Sequence, residues 1–249
     1  MKERIHYLTN WLQDKVKEAG ANGALVGISG GIDSAVVAYL IKKAFPEQSL
    51  GVLLPIDEEV EDQEDALKLV KGADLDYVGI NLTDSYHTTR QAIQNQLKEK
   101  GDWNEEHSQL GGANLQARLR MSTLYAVGSN YGYLVVGTDN AAEDYTGYFT
   151  KYGDGGVDLV PLINMRKEEV REMAQELGIP DSIIHKKPSA ELWEGQSDEE
   201  ELGLSYDTID QYLRGEEIDQ EDQERLNELH KNTQHKREIP AGPDKFKGA

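Results

Sequence analysis

The junction at residues 24–35 constrains the fold more than any other stretch. The apolar run Ala24–Ile28 passes directly into Ser29-Gly30-Gly31, and helical spacing follows over Asp33–Ala44. Such a series reads as a short buried strand, a tight turn and a helix. The same alternation recurs along the chain. A helix is predicted over 3–19, where Ile5, Leu8, Trp11, Leu12 and Val16 form one stripe, and a strand over Ser49–Leu54 stopped by Pro55. An acidic helix at 60–71, a strand at Tyr77–Leu82 and a helix from about Asp84 to Lys98 come next. The turn-rich stretch Gly101–Gly112 leads into a long helix near Asn114–Ser129 and a strand at Tyr133–Gly137. Asp158–Leu162 reads as a candidate strand, and Lys167–Leu177 as a helix closed by Gly178 and Pro180. Nearly all-apolar strands separated by helices indicate an α/β fold: one domain with an open parallel sheet and helices on both faces.

Later segments are more polar. Residues 186–204, with Pro188 and Gly195, are expected to form a mobile loop, and 205–214 and 219–233 two acidic helices before a tail at 234–249. The 249 residues suit a single domain without a linker between independent units. No apolar run approaches the length of a membrane span, and the first twenty residues lack a secretory apolar core, so a cytoplasmic protein is expected. With 26 basic and 46 acidic residues the net charge is −20, which argues against nucleic acid or anionic lipid as partner. The chain has no cysteine, which excludes disulfides, CxxC zinc sites, iron–sulfur clusters and a thiol nucleophile. Its six histidines are scattered, so a hard cation such as Mg²⁺, held by carboxylates and phosphates, is the expected metal.

Chemistry concentrates first in GISGGIDSA, Gly27–Ala35. Small residues at Ser29, Gly30 and Gly31 let the chain bend sharply and expose successive N–H groups, which with the helix N-terminus make an anion cradle. The Ser29 and Ser34 hydroxyls add donors for phosphate oxygens. Neither GxxxxGK[ST] nor GxGxxG is present. A carboxylate at Asp33 repels phosphate unless Mg²⁺ lies between them; the alternative is an ordinary glycine-rich turn with Asp33 in the first helical turn. Glu143 reads equally as a second carboxylate for that cation or as a helix N-terminal charge. Arg118 and Arg120, two apart, are not expected to share one helix face. Tyr148, Phe149 and Tyr152 beside Lys151 offer stacking surfaces and a cation, with core packing the alternative, chiefly for Phe149. Lys167 at a helix start opposes the dipole unless an anionic ligand lies near.

SGGxDS at a strand-to-helix junction resembles the pyrophosphate loop of enzymes that split ATP into AMP and pyrophosphate. Downstream come LGGANLQARLRM (Leu110–Met121), GTDNAAEDYTGYFTKYGDGGVDLVPL (Gly137–Leu162), PSAELWEGQSDEEELGLSYDTID (Pro188–Asp210) and HKREIP (His235–Pro240). In this order they resemble the NAD synthetase family over nearly the whole chain, GYFTKYGDGG being the most diagnostic. The resemblance implies an adenine nucleotide alpha-hydrolase-like fold, and a ligase that adenylylates the nicotinate carboxylate of deamido-NAD with ATP and aminates it with free ammonia. By the same resemblance ATP is contacted by Gly27, Ile28, Ser29, Gly30, Gly31, Ile32, Asp33, Ser34, Thr138, Lys167 and Ser189. Deamido-NAD falls to Arg118, Lys151, Asp158, His235 and Lys236. Asp33 and Glu143 would hold Mg²⁺, Asp33 and Lys167 would be catalytic, and two copies of the chain would form a homodimer near the long helix, whose Leu115, Leu119, Leu124 and Tyr125 supply apolar surface. Asp158 or Asp154 is the expected base toward ammonium.

Two departures are visible: LPIDEEVEDQEDA lacks an Arg or Gln associated with adenine-ribose contacts, and Ile32 stands where Gln is common. Glutamine-using relatives carry an amidohydrolase domain with a catalytic Cys ahead of the loop; here the loop begins at residue 27 and no Cys exists, so ammonia must come free or from a separate protein. A GMP synthetase module is opposed by GYFTKYGDGG and HKREIP, and tRNA-thiolating relatives by the missing cysteines and basic additions. A non-catalytic nucleotide-binding regulator is opposed by the intact Asp33, Glu143 and Lys167.

Overall fold

Among the described residues four strands, all parallel, carry the fold in the order β3-β2-β1-β4. The computed structural model describes residues 1–57, 60–186 and 197–245, with only the backbone course for 60–63. In chain order these residues form α1 (Lys2–Glu18), β1 (Gly23–Gly27), α2 (Ile32–Ala44), β2 (Ser49–Leu53), α3 (Val60–Gly72), β3 (Tyr77–Gly79), α4 (Thr83–Lys100) and α5 (Ser108–Tyr131). After them come β4 (Tyr133–Val136), α6 (Ala141–Thr146), α7 (Lys167–Leu177), α8 (Asp181–Ile184), α9 (Asp198–Leu202), α10 (Tyr206–Leu213), α11 (Gln220–Asn232) and α12 (Gln234–Arg237).

Alternation along the strands divides the core. Ala24 and Val26 of β1 face one apolar cluster with residues of α1, α2 and α7, whereas Leu25 joins Leu50, Val52 and Val135 under α5. Helices therefore cover both faces, as expected of a parallel sheet. Fully buried leucines such as Leu12, Leu40 and Leu69 each contribute roughly 1.5–3 kcal/mol. A third cluster, built on Ala142, Leu202, Tyr206, Ile209 and Leu226, holds the C-terminal helices against α6. Because β2 and β4 flank β1 on opposite sides, the connections diverge there and leave a crevice beyond the ends of β1 and β4.

Several expected boundaries move, each for a physical reason. β3 ends at Gly79 instead of Leu82 because β2, its one neighbour among the described residues, stops at Leu53 before Pro55. Asp158–Leu162 is not a strand: it makes one bridge, Val136 to Leu159, before Pro161 and a turn. α5 starts at Ser108, taking in Gly111 and Gly112, which the sequence placed in a turn. Gly112 is buried where a Cβ would lie 2.9 Å from the Tyr86 hydroxyl of α4, so close helix packing selects it. Within the segment expected to be a loop, 198–202 is helix α9, and residues 187–196 lie outside the described residues. The apolar side chains Leu115, Leu119, Leu124 and Tyr125 pack into the chain's own second cluster. What α4 and the start of α5 leave exposed are Ile93, Leu97 and Leu110.

Candidate active site

A cavity of about 600 Å³ opens in the crevice between β1 and β4. Its floor is the glycine bend. Gly30 has φ 83°, a left-handed conformation that costs a residue with a Cβ about 1–2 kcal/mol, so this position needs glycine. Gly27, Ile28, Ser29, Gly31, Ile32, Asp33 and Ser34 line the cavity, and Gly30 supplies the turn behind them. No side chain caps α2, so its first-turn N–H groups lack partners within the helix, as an anion cradle requires. The Gly31 N–H donates to Ser29 Oγ at 3.2 Å, and Ser34 Oγ donates to the Gly31 carbonyl at 3.0 Å, holding the bend in shape.

Over the bend lies a buried ionic cluster. Lys167 Nζ sits 2.6 Å from Asp33 Oδ2 and 3.5 Å from Glu143 Oε1, with its side chain 3% exposed. It also stands 4.7 Å from the Tyr206 ring centroid. The cation at the α7 N-terminus is thus paired with two carboxylates of the protein itself, where the sequence called for an anionic ligand. They raise the Lys167 pKa against the opposing effect of burial. The unpaired N–H groups of Lys167 and Glu168 are taken by Asp210 of α10, at 3.1 and 2.8 Å.

Glu143 caps a helix and faces Lys167 at once. Its Oε2 accepts the Asn140 N–H at 3.0 Å, completing a capping box on α6, while Oε1 faces Lys167 and the Tyr206 hydroxyl at 3.3 Å. Burial pushes its pKa up to about 7, partly offset by Lys167. Asn140 also donates from Nδ2 to Asp33 Oδ1 at 3.1 Å, tying the end of β4 to the bend after β1.

Asp33 and Glu143 both turn oxygen donors toward the Lys167 ammonium, at 2.6 and 3.5 Å. Among the described residues no third acidic or histidine side chain completes a metal-ligand set. The donor set therefore fits a Mg²⁺ that takes its remaining oxygens from phosphates and water.

Thr138, Arg118, Lys151, His235 and Lys236 also line the cavity. Arg118 donates to the Lys151 carbonyl at 3.3 Å and Arg120 to the Leu54 carbonyl at 3.1 Å. Arg118 and Arg120, two apart on α5, both line the cavity. Lys151 Nζ donates to the His235 carbonyl. Lys236 Nζ donates to the carbonyls of Gly147 and Phe149 at 2.7 and 2.6 Å and covers the Phe149 ring. Phe149 belongs to no core cluster; half-buried, it forms part of the cavity wall. Asp158 falls outside that wall: its oxygens accept the Tyr125 hydroxyl at 3.0 Å and the Val135 N–H at 2.8 Å. Ser189 lies outside the described residues.

Sequence reasoning missed Asn140, Tyr206 and Asp210. Only Asn140 carried a local signal, an N-cap residue three before Glu143.

The sequence pattern of the family described as NAD synthase matches residues 4–240. The chain belongs to the NAD synthase family. Among its relatives in this family, the NH(3)-dependent NAD(+) synthetase of Alkaliphilus oremlandii is 51% identical over 98% of this chain and 97% of its own. Among solved structures, an NMN synthetase from Francisella tularensis has a TM-score of 0.89 and 38% identity, covering 98% of both chains. An NH3-dependent NAD synthetase from Campylobacter jejuni, in complex with the nitrate ion, has a TM-score of 0.75 and 27% identity over 98% of both chains.

Proposed function

We propose that this NAD synthase family member converts deamido-NAD, ATP and ammonia to NAD, AMP and pyrophosphate. The observation that carries the reading is the convergence of Asp33, Glu143 and Lys167 on an uncapped glycine bend, in a cavity that continues to Arg118, Lys151 and Lys236. A carboxylate is a poor acyl electrophile, so amide formation needs prior activation. The nicotinate carboxylate attacks the α-phosphate of ATP, forming an acyl-adenylate and expelling pyrophosphate. Ammonia then attacks the activated carbon and AMP leaves.

The protein's part is positioning and electrostatics. The backbone N–H groups of the bend and the Lys167 ammonium bind the outgoing pyrophosphate oxygens. Arg118, Lys151 and Lys236 offer cationic and carbonyl-tethered groups to the dinucleotide. Asp33 and Glu143 would hold Mg²⁺, which when bound supplies charge neutralisation to the triphosphate. No protein nucleophile is called for, in keeping with a cysteine-free chain. Pyrophosphate release that depends on ATP, deamido-NAD and ammonium together tests the reading.

Likeness to the Francisella NMN synthetase favours a second reading, the same chemistry on the mononucleotide. Competition between deamido-NAD and nicotinate mononucleotide separates the two by their kcat/KM ratio. We also propose a homodimer, supported by the exposed Ile93, Leu97 and Leu110 on α4 and α5. A monomer by light scattering at micromolar concentration would refute it.

A further inference from the structure

The C-terminal helices close on α6 through its carbonyls. α6 has six residues, too few for a stable isolated helix, and the carbonyls of its last turn have no partners within it. Side chains from the end of α11 onward take them. Arg237 donates to the carbonyls of Asp144 and Tyr145 at 2.8 and 3.3 Å, and Thr233 Oγ1 to that of Thr146 at 3.1 Å. Lys236 Nζ holds the next ones, those of Gly147 and Phe149. Cations suit this negative end of a helix. Packing is tight as well, since a Cβ on Gly147 would run into the Thr233 side chain.

Arg237 differs from its neighbours in this set. His235 and Lys236 line the nucleotide cavity, and Arg237 does not. Its guanidinium is spent on the protein. One terminal nitrogen serves the Asp144 and Tyr145 carbonyls and Thr233 Oγ1, the last at 3.0 Å; the other donates to the His230 carbonyl of α11 and to Gln234 Oε1 at 3.3 Å. One planar fork thus joins the last turn of α6, the last turn of α11 and the start of α12. A lysine ammonium is a point donor and does not span these acceptors.

We infer that Arg237 is a positioning residue for the dinucleotide half of the site. It fixes α12 against α6, and so holds Lys236 and the contact of Lys151 with the His235 carbonyl where deamido-NAD meets them. The inference rests on the amidation reading and deepens it. The ATP half has separate anchors. Glu143, in the first turn of α6, is held by the Asn140 capping box, by Lys167 and by the Tyr206 hydroxyl, and the glycine bend belongs to the start of α2. Losing Arg237 therefore bears on one substrate and spares the other.

The test is steady-state kinetics of Arg237→Ala and Arg237→Lys with each substrate varied in turn. In both variants the KM for deamido-NAD is expected to rise about tenfold or more, with kcat and the KM for ATP within about twofold of wild type. Ethylguanidinium at a non-denaturing concentration should lower the raised KM of Arg237→Ala, whereas ethylammonium, of equal charge but without the fork, should not. Should the alanine variant fail to fold, Arg237→Lys, which keeps the charge and the aliphatic stem, carries the same split between substrates. An unchanged KM for deamido-NAD, an equal rise for ATP, or equal rescue by ethylammonium would each overturn the assignment while leaving the amidation reading intact. Wild-type protein that makes no NAD from deamido-NAD would overturn that reading, and the assignment with it.

Discussion

Lys167 Nζ lies 2.6 Å from Asp33 Oδ2, joining the first turn of α7 to the first turn of α2 across 134 residues of chain. Both partners are largely withdrawn from solvent, and Glu143 completes the cluster from α6. Losing the ammonium leaves two carboxylates facing one another. Lys167→Met is therefore expected to cost about 3 kcal/mol of stability in the ligand-free protein and about 10²-fold or more in turnover. Denaturant melts and steady-state kinetics read the two effects; a variant as stable and active as wild type would remove the cluster from the account.

The raised pKa of Glu143 has a definite sign in stability. From an ordinary 4.5, burial pushes it up to about 7 in the folded protein. Between those values the folded state holds a proton that the unfolded chain has released, so this group's contribution falls as pH rises through the window. Glu143→Gln lacks the titration. The stability of wild type relative to that variant is expected to drop by about 2 kcal/mol between pH 4.5 and 8 without ligand, as measured by urea unfolding. A pH-independent difference would contradict it.

Gly30→Ala forces a Cβ into a φ of 83°. About 1–2 kcal/mol of strain is expected, relieved by reshaping the bend and visible as weaker ATP binding in calorimetry. Unchanged affinity would show that the bend does not grip the nucleotide.

Asp210 is 1% exposed and accepts both N–H groups at the start of α7. Asp210→Ala is expected to lower stability by about 1–2 kcal/mol and, by loosening Lys167, to weaken ATP use more than use of deamido-NAD. Separate KM values for the two substrates check this.

What was legible in the sequence was local. The β1–bend–α2 junction, the helix at Lys167–Leu177 and the sheet's parallel character follow from apolar runs, glycines and caps within a few residues. Asp210 and Tyr206 could not be read, because they act on Lys167 from a helix some forty residues on, through contacts that only the third apolar cluster creates. Spacing keeps Arg118 and Arg120 off a single helix face, but it does not show that both side chains line one cavity. The start of α5 was misplaced because helix propensity disfavours glycine, while close packing against Tyr86 requires it.

In the proposed reaction the glycine bend and its ionic cluster spend ATP on amide formation with free ammonia. Its most direct test is pyrophosphate release by the pure protein, with ATP, deamido-NAD and ammonium each left out in turn and glutamine offered in place of ammonium. Sustained release only with all three components, with NAD as product and none formed from glutamine, is the expected result. Sustained turnover without deamido-NAD, or efficient synthesis from glutamine alone, would contradict it.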